Sequence, residues 1–174
     1  MDIEMKSLKA NDVVELPKDN KVIGSKWIFK RKINADGSVE SYKARLVAQG
    51  FSQTHGRDYD ETFCPVVRFE SIHSVIAVAV QNDLTLHQMD VTSAFLNGTL
   101  EEEVFMQQPE GYKSEGETQL VCKLKRSLYG LKQAPRCWNT ALDTCLKDMS
   151  FNQSSTDPCK ELVIVAVYVD DIIS

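Results

Sequence analysis

Apolar residues change their spacing several times along the chain, and each change marks an element. Val22 to Ile33 alternates bulky and basic positions around Trp27, Ile28 and Phe29. Asn34-Ala35-Asp36-Gly37 then supplies turn chemistry, and alternation resumes from Ser38 to Gln49. A period of two on both sides of a glycine-containing turn predicts a β-hairpin with basic residues on both arms. The first twenty residues carry few apolar positions and read as a lead-in; Gly50 to Pro65 reads as a loop. From Glu70 to Gln81, Ile72, Val75, Ile76, Ala79 and Val80 recur at helical spacing, so a helix is predicted with an apolar face to pack.

Leu84 to Asp90 reads as a strand that ends in the small-residue turn Val91-Thr92-Ser93-Ala94. Asn97 to Gln119 reads as acidic and irregular, and Val121 to Leu128 as a further strand. Pro135 is placed to start a helix, since Trp138, Leu142, Cys145, Leu146 and Met149 follow at helical spacing. Finally, Leu162 to Val169 forms a β-branched apolar run that enters Asp170-Asp171 directly, as a buried strand would. Strands mixed with helices in this order predict an α+β fold in which helices cover one face of an antiparallel sheet.

Composition narrows the class. With 174 residues, 43% hydrophobic and 26% charged, the chain has the make-up of a soluble globular domain or part of one. Its longest apolar run is strand-sized, and the polar start MDIEMKSLKAND is no secretory signal, so no membrane partner is expected. A cytoplasmic location, including the interior of a virus-like particle, follows as the expectation. Five cysteines without a CxxC pair, and three histidines outside ligand spacing, point to free thiols rather than disulfides or structural zinc.

Net charge is −5, yet charge is unevenly spread. Lys21 to Gly50 holds seven basic residues against two acidic ones, and Val121 to Lys147 holds six against one. In the stretch 98–120 that precedes the second segment, Glu101, Glu102, Glu103, Glu110, Glu115 and Glu117 face a single Lys113. Such clusters suit either solvated faces or phosphate contact by the two basic segments.

Asp170 and Asp171 need an explanation, because adjacent carboxylates repel and neighbouring strand residues point to opposite faces. A plain hairpin turn is one reading. In the other, the pair sits at a hairpin tip beside Asp90, and divalent cations neutralise the group. Two such ions serve in-line phosphoryl transfer in nucleotidyl transferases and in several nucleases, so the chemistry alone leaves the choice open.

The spelling of the motifs goes further. Tyr168-Val169-Asp170-Asp171 has the Tyr-x-Asp-Asp form typical of reverse transcriptases. His87-Gln88-Met89-Asp90-Val91-Thr92-Ser93-Ala94-Phe95-Leu96-Asn97-Gly98 resembles the first catalytic motif of copia-type retrotransposon reverse transcriptases. Met106 to Gly111, Ser127 to Arg136, Tyr42 to Phe51 and Asp60 to Val67 resemble further blocks of the same group, in order and across nearly the whole chain.

The resemblance implies a right-hand polymerase: fingers and palm with an antiparallel sheet and packed helices. It implies a lead-in over 1–20, a fingers-type hairpin and loop over 21–67 and palm over 68–97. A fingers-type insertion over 98–128 and palm again over 129–174 complete the division. Asp90, Asp170 and Asp171 would be catalytic and, with the Val91 carbonyl, would hold two Mg²⁺ or Mn²⁺ ions. Backbone amides of Val91, Thr92, Ser93 and Ala94 would meet the triphosphate of a dNTP. Phe95 would lie under the deoxyribose and exclude a 2′-hydroxyl. Lys43 and Arg45 would grip the triphosphate, with Lys132 and Gln133 lining the nucleotide and template side. The partners would be a primer on an RNA or DNA template and the remainder of a polyprotein, including the thumb and ribonuclease H regions that the chain lacks.

Two other classes fit parts of the pattern. The short Asp157 to Leu162 segment and the chain end at Ser174 suit a catalytically inactive or recruited remnant that binds nucleic acid or protein. A metal-dependent nuclease would be expected to bring a further acidic ligand, and would leave Lys132-Gln133-Ala134-Pro135 without a role.

Overall fold

A computed structural model of the chain describes residues 11–111, 120–153 and 164–173. Among the described residues, nine strands form three sheets, accompanied by two α-helices. The largest contains β1 (Asp12–Glu15), β7 (Leu120–Arg126), β6 (Thr99–Gln107) and β2 (Val22–Ile23), in that order. Strand β6 occupies a stretch read from the sequence as irregular. Its acidic start, Glu101 to Glu103, masks the apolar run Val104, Phe105 and Met106, all of which are buried. The lead-in likewise supplies a strand, because β1 pairs with β7 from Asp12↔Lys123 to Glu15↔Leu120. The sheet is mixed rather than wholly antiparallel, since β2 runs parallel to β6.

Strands β3 (Ser25–Ile33) and β4 (Val39–Ala48) make the expected hairpin. Its turn closes through Asn34 N–H to Ser38 O at 2.9 Å, with Gly37 at φ +84°. The base of the hairpin docks on the rest of the fold: Ala48 N–H donates to Tyr129 O at 2.7 Å and Gln49 N–H to Gly24 O at 2.8 Å.

Helix α1 (Phe69–Gln81) and helix α2 (Ala134–Asp148) lie where the periodicity predicts. Both stop with the same device, a residue in left-handed conformation just past the cap. Asp83 (φ +53°) and Ser150 (φ +70°) fill that position. Leu84 N–H then returns to Ala79 O at 2.8 Å, and Phe151 N–H to Leu146 O at 3.0 Å. Neither residue is the glycine that would announce such a stop in the sequence.

The third sheet has the order β5 (Gln88–Asp90), β9 (Asp171–Ile173), β8 (Ala166–Tyr168), all antiparallel. Strand β5 is shorter than the Leu84–Asp90 run suggested. The expected strand from Leu162 is described only from β8 onward, and the Asp157 to Leu162 segment lies outside the described residues.

One core joins the elements: Ile23, Leu46 and Ala48, then Leu96, Leu100, Val104 and Met106, then Cys122, Leu124, Leu128, Leu131, Ala134 and Cys137. Gly98 shows how close the approach is. A Cβ there would lie 2.7–2.8 Å from Cys137 C and Trp138 N, so only a glycine lets the turn before β6 sit on α2. Among the described residues the cysteines are free, and no helix is long and apolar enough to cross a membrane.

Candidate active site

Strand β5 ends at Asp90, and in the ladder Asp90 stands directly opposite Asp171. Opposed residues of an antiparallel pair present their side chains to the same face, with Cβ atoms about 4.5–5.5 Å apart. Asp171 also pairs with Tyr168, so Val169 and Asp170 are the two central residues of the β8–β9 turn. Asp170 is tied in through its backbone, accepting from Val91 N–H at 2.9 Å. The three predicted aspartates therefore lie at the same end of the β5–β9–β8 sheet.

Two like charges set face to face are destabilising unless something neutralises them. No ion pair among the described residues involves Asp90, Asp170 or Asp171. Their donor chemistry, oxygen alone, suits a hard divalent cation that also takes substrate phosphate oxygens. The gathering is nevertheless incomplete. Among the described residues, no group of three or more His, Cys, Asp or Glu side chains converges into a ready metal site. What the fold provides is an opposed pair, Asp90 and Asp171, with Asp170 alongside in the turn.

Val169 sits at φ +58°. Two-residue hairpin turns favour positive φ, but glycine or asparagine normally takes such a position. A β-branched residue there costs of order 1–3 kcal/mol. The turn is fastened from two sides: the indole N–H of Trp138 on α2 donates to Val169 O at 2.7 Å, and the ring of Phe69 at the start of α1 packs on Tyr168, centroids 5.6 Å apart.

Beyond Asp90 the chain curls through Val91, Thr92 and Ser93, and Ser93 adopts the left-handed conformation (φ +57°) before a 3-10 turn at Ala94–Asn97. The N–H groups of Thr92, Ser93 and Ala94 meet no backbone acceptor among the described residues, so this curl has donors to offer. Buried Ser127 anchors it, its hydroxyl donating to Phe95 O and its N–H to Gly98 O at 2.8 Å.

Phe95 meets the ring of Tyr129 edge-on at 5.1 Å, and the Arg45 guanidinium lies over the same ring at 5.4 Å. Arg45 Nε is buried and has no hydrogen-bond partner among the described residues. An orphaned guanidinium donor beside the Asp90 curl fits an anion that would complete it. Lys43, two residues along the same face of β4, is exposed and stands directly opposite Lys30. That pair of ammonium groups is another repulsion that a phosphate would relieve.

Lys132 and Gln133 divide in role. Gln133 is 0% exposed, and both ends of its amide are occupied within the protein. Its Nε2 donates to Asp58 O at 3.0 Å, and its Oε1 accepts from Gln53 Nε2 at 2.9 Å. The expected nucleotide contact by Gln133 is corrected on that ground: burial leaves its side chain bracing the loop at 53–58. Lys132 is exposed, with Nζ 3.2 Å from Tyr59 OH and 4.8 Å above that ring. Gln53 and Asp58, both buried, are site supports that the sequence reading placed in a loop.

The acidic stretch is also structured. Glu102 accepts from Arg136 at 2.7 Å, and a cleft of about 490 Å³ is lined by Arg57, Glu61, Glu101, Glu102 and Arg136, among others. Within it, the N–H groups of Phe63 and Thr62 hold the Glu61 carboxyl below its usual range. None of the predicted site residues lines this cleft.

Comparison with known proteins agrees with the motifs. The family model described as reverse transcriptase (RNA-dependent DNA polymerase) matches residues 8–174. The chain is 44% identical, over 99% of its length, to the retrovirus-related Pol polyprotein from transposon TNT 1-94 of Nicotiana tabacum. It is 46% and 45% identical, over 87% of its length, to those from transposons RE1 and RE2 of Arabidopsis thaliana. It spans 14% of the tobacco polyprotein and 11% of each Arabidopsis one. No solved structure matches significantly. The chain belongs to the reverse transcriptase (RNA-dependent DNA polymerase) family, in the form carried by copia-type retrotransposon Pol polyproteins.

Proposed function

We propose that this chain carries the nucleotidyl-transfer site of a retrotransposon reverse transcriptase, adding dNTPs to a primer on an RNA or DNA template. The observation that carries the reading is the register of β5 and β9, which opposes Asp90 to Asp171 while Val91 N–H holds Asp170 O. Asp90, the Val91 carbonyl, Asp170 and Asp171 would hold divalent cations, Mg²⁺ or Mn²⁺. Such ions, when bound, supply charge neutralisation and Lewis acidity at the reacting phosphate.

The remaining residues bind and orient. Arg45, whose Nε lacks a partner among the described residues, and Lys43 hold the triphosphate, and the amides of Thr92, Ser93 and Ala94 receive it from the other side, the Val91 N–H being taken by Asp170 O. Phe95, braced by Tyr129, forms the wall that excludes a 2′-hydroxyl. Lys132 faces the nucleotide and template side. The primer 3′-hydroxyl then attacks the α-phosphate, forming a P–O bond as pyrophosphate leaves and the hydroxyl proton passes to solvent. Template contact runs mainly to backbone and A-form shape. The division into fingers over 21–67 and 98–128 and palm over 68–97 and 129–174 belongs to the same reading, as does a cytoplasmic or particle-enclosed location.

A second reading is a remnant that binds nucleic acid or protein without catalysis. The incomplete gathering of the three carboxylates favours it. Primer extension on poly(rA)/oligo(dT) with dTTP and Mg²⁺ or Mn²⁺ separates the two. Extension by the purified chain that is lost in Asp170→Asn supports the polymerase; a folded chain that extends nothing supports the remnant.

A further inference from the structure

The β8–β9 turn is fastened in a way that the chemistry at Asp90 does not require. Val169 holds a backbone conformation that a β-branched side chain resists, at the residue immediately before Asp170. Nothing in Tyr-Val-Asp-Asp favours that conformation locally: glycine is absent from the turn, and the hairpin arms are three residues each. A short hairpin with an adverse turn residue is marginal on its own. Its conformation must therefore be imposed from outside the hairpin.

The candidate is Trp138. It lies in the first half of α2, buried, in the helix that packs against the Ala94–Asn97 turn and β6. Its neighbour Cys137 belongs to the common core, and Gly98 presses on the backbone of both residues. The indole is thus attached to the packed core, and its single polar atom is spent on Val169 O at 2.7 Å. A Trp N–H buried without an acceptor is costly, so indole and turn each need the other.

We propose that Trp138 is a positioning residue, whose indole N–H holds the Val169 turn in its strained conformation and so sets Asp170 and Asp171 against Asp90. The strain supplies the function. A relaxed turn would form with or without the indole, whereas the valine turn depends on it, so the arrangement of the aspartates is coupled to the packing of α2. This rests on the proposed function only for what the aspartates do; the positioning itself is a property of the backbone.

The test is a double-mutant cycle read by amide hydrogen exchange at Val91, whose N–H is bound to Asp170 O only while the turn is in place. Trp138→Phe keeps the ring and removes the N–H, and it should speed Val91 exchange about tenfold, as expected for losing one buried hydrogen bond. Val169→Gly removes the strain, and in that background Trp138→Phe should change the exchange by less than about twofold, since the relaxed turn no longer needs the indole. Equal effects in both backgrounds, or none in either, overturn the proposal. Should Trp138→Phe fail to fold with Val169 in place, folding of the Val169→Gly/Trp138→Phe double variant supports it; failure of both makes Trp138 a packing residue only. Primer extension plays no part in this readout, so an inactive chain can still pass or fail it.

Discussion

Strands β1, β7, β6 and β2, with the base of the β3–β4 hairpin and α2, enclose Ile23, Leu46, Val104 and Met106 completely. Strands β5, β9 and β8 bury Ala166 and Ile172, and α1 buries only Ala79, leaving Phe69, Val80, Leu84, Leu86 and Met89 exposed. Burial of apolar area is the main stabilising term, so the first region holds itself together and the second is held by the first. The opposed aspartates stand in the second. They are positioned by a few directed contacts: Trp138 reaches across to Val169, Ser127 holds Phe95 O beyond Asp90, and Val91 N–H ties Asp170 to the end of β5. A like-charged carboxylate edge is a poor place for a dense core, and the molecule builds its core elsewhere and reaches the site by hydrogen bonds.

The contrast breaks most directly at matched apolar residues. Met106→Ala, at 0% exposure, should lower the unfolding free energy by about 2–5 kcal/mol, whereas Val80→Ala, at 75% exposure, should change it by less than about 0.5 kcal/mol. Urea midpoints of the two variants measure this, and equal losses would mean that α1 is packed as tightly as β6. Next in size is the buried amide pair. Gln133→Ala leaves Gln53 Nε2 without its Gln133 acceptor and removes a donor from Asp58 O, at a cost of about 1–3 kcal/mol in the same assay. A residue serving only the nucleotide would show no such loss in the ligand-free chain.

Cys137 sharpens the comparison through pH. Burial pushes its thiol up from an ordinary 9.0 to about 11. Once unfolded, the thiol ionises at the lower value, so the stabilisation is complete below about pH 9 and is lost as pH rises toward 11. Thermal midpoints across that window should fall more steeply in the parent than in Cys137→Ala. The smallest effect belongs to the exposed edge. Asp90→Asn removes one of two opposed charges, so stability should hold or rise by less than about 1 kcal/mol while primer extension disappears. Stability gained as function is lost is the mark of a site kept at a structural cost.

The sequence was most readable where periodicity or motif spelling acts locally. The basic hairpin, both helices and the approach of Asp90 to Asp170-Asp171 follow from spacing and from family motifs. Strand β6 was hidden because Glu101 to Glu103 lie at its start, and the burial of Val104 to Met106 depends on partners far away in the chain. Strand β1 was hidden because Asp12 to Glu15 is made by pairing with β7, not by its own pattern. Gln133 was placed at the nucleotide by its motif, yet its surroundings are set by Gln53, eighty residues earlier. Trp138 was legible only as one position of an apolar stripe, since nothing local reveals where an indole N–H will find its acceptor.

Binding of Mn²⁺ to the purified chain, followed by electron paramagnetic resonance in the parent and in Asp90→Asn and Asp171→Asn, tests the central claim most directly. If the opposed carboxylates form the cation-binding edge of the site, each single substitution weakens binding at least about tenfold without lowering the urea midpoint. Mn²⁺ binding that is equally tight in all three proteins would contradict the account and leave the β5–β9 register as fold alone.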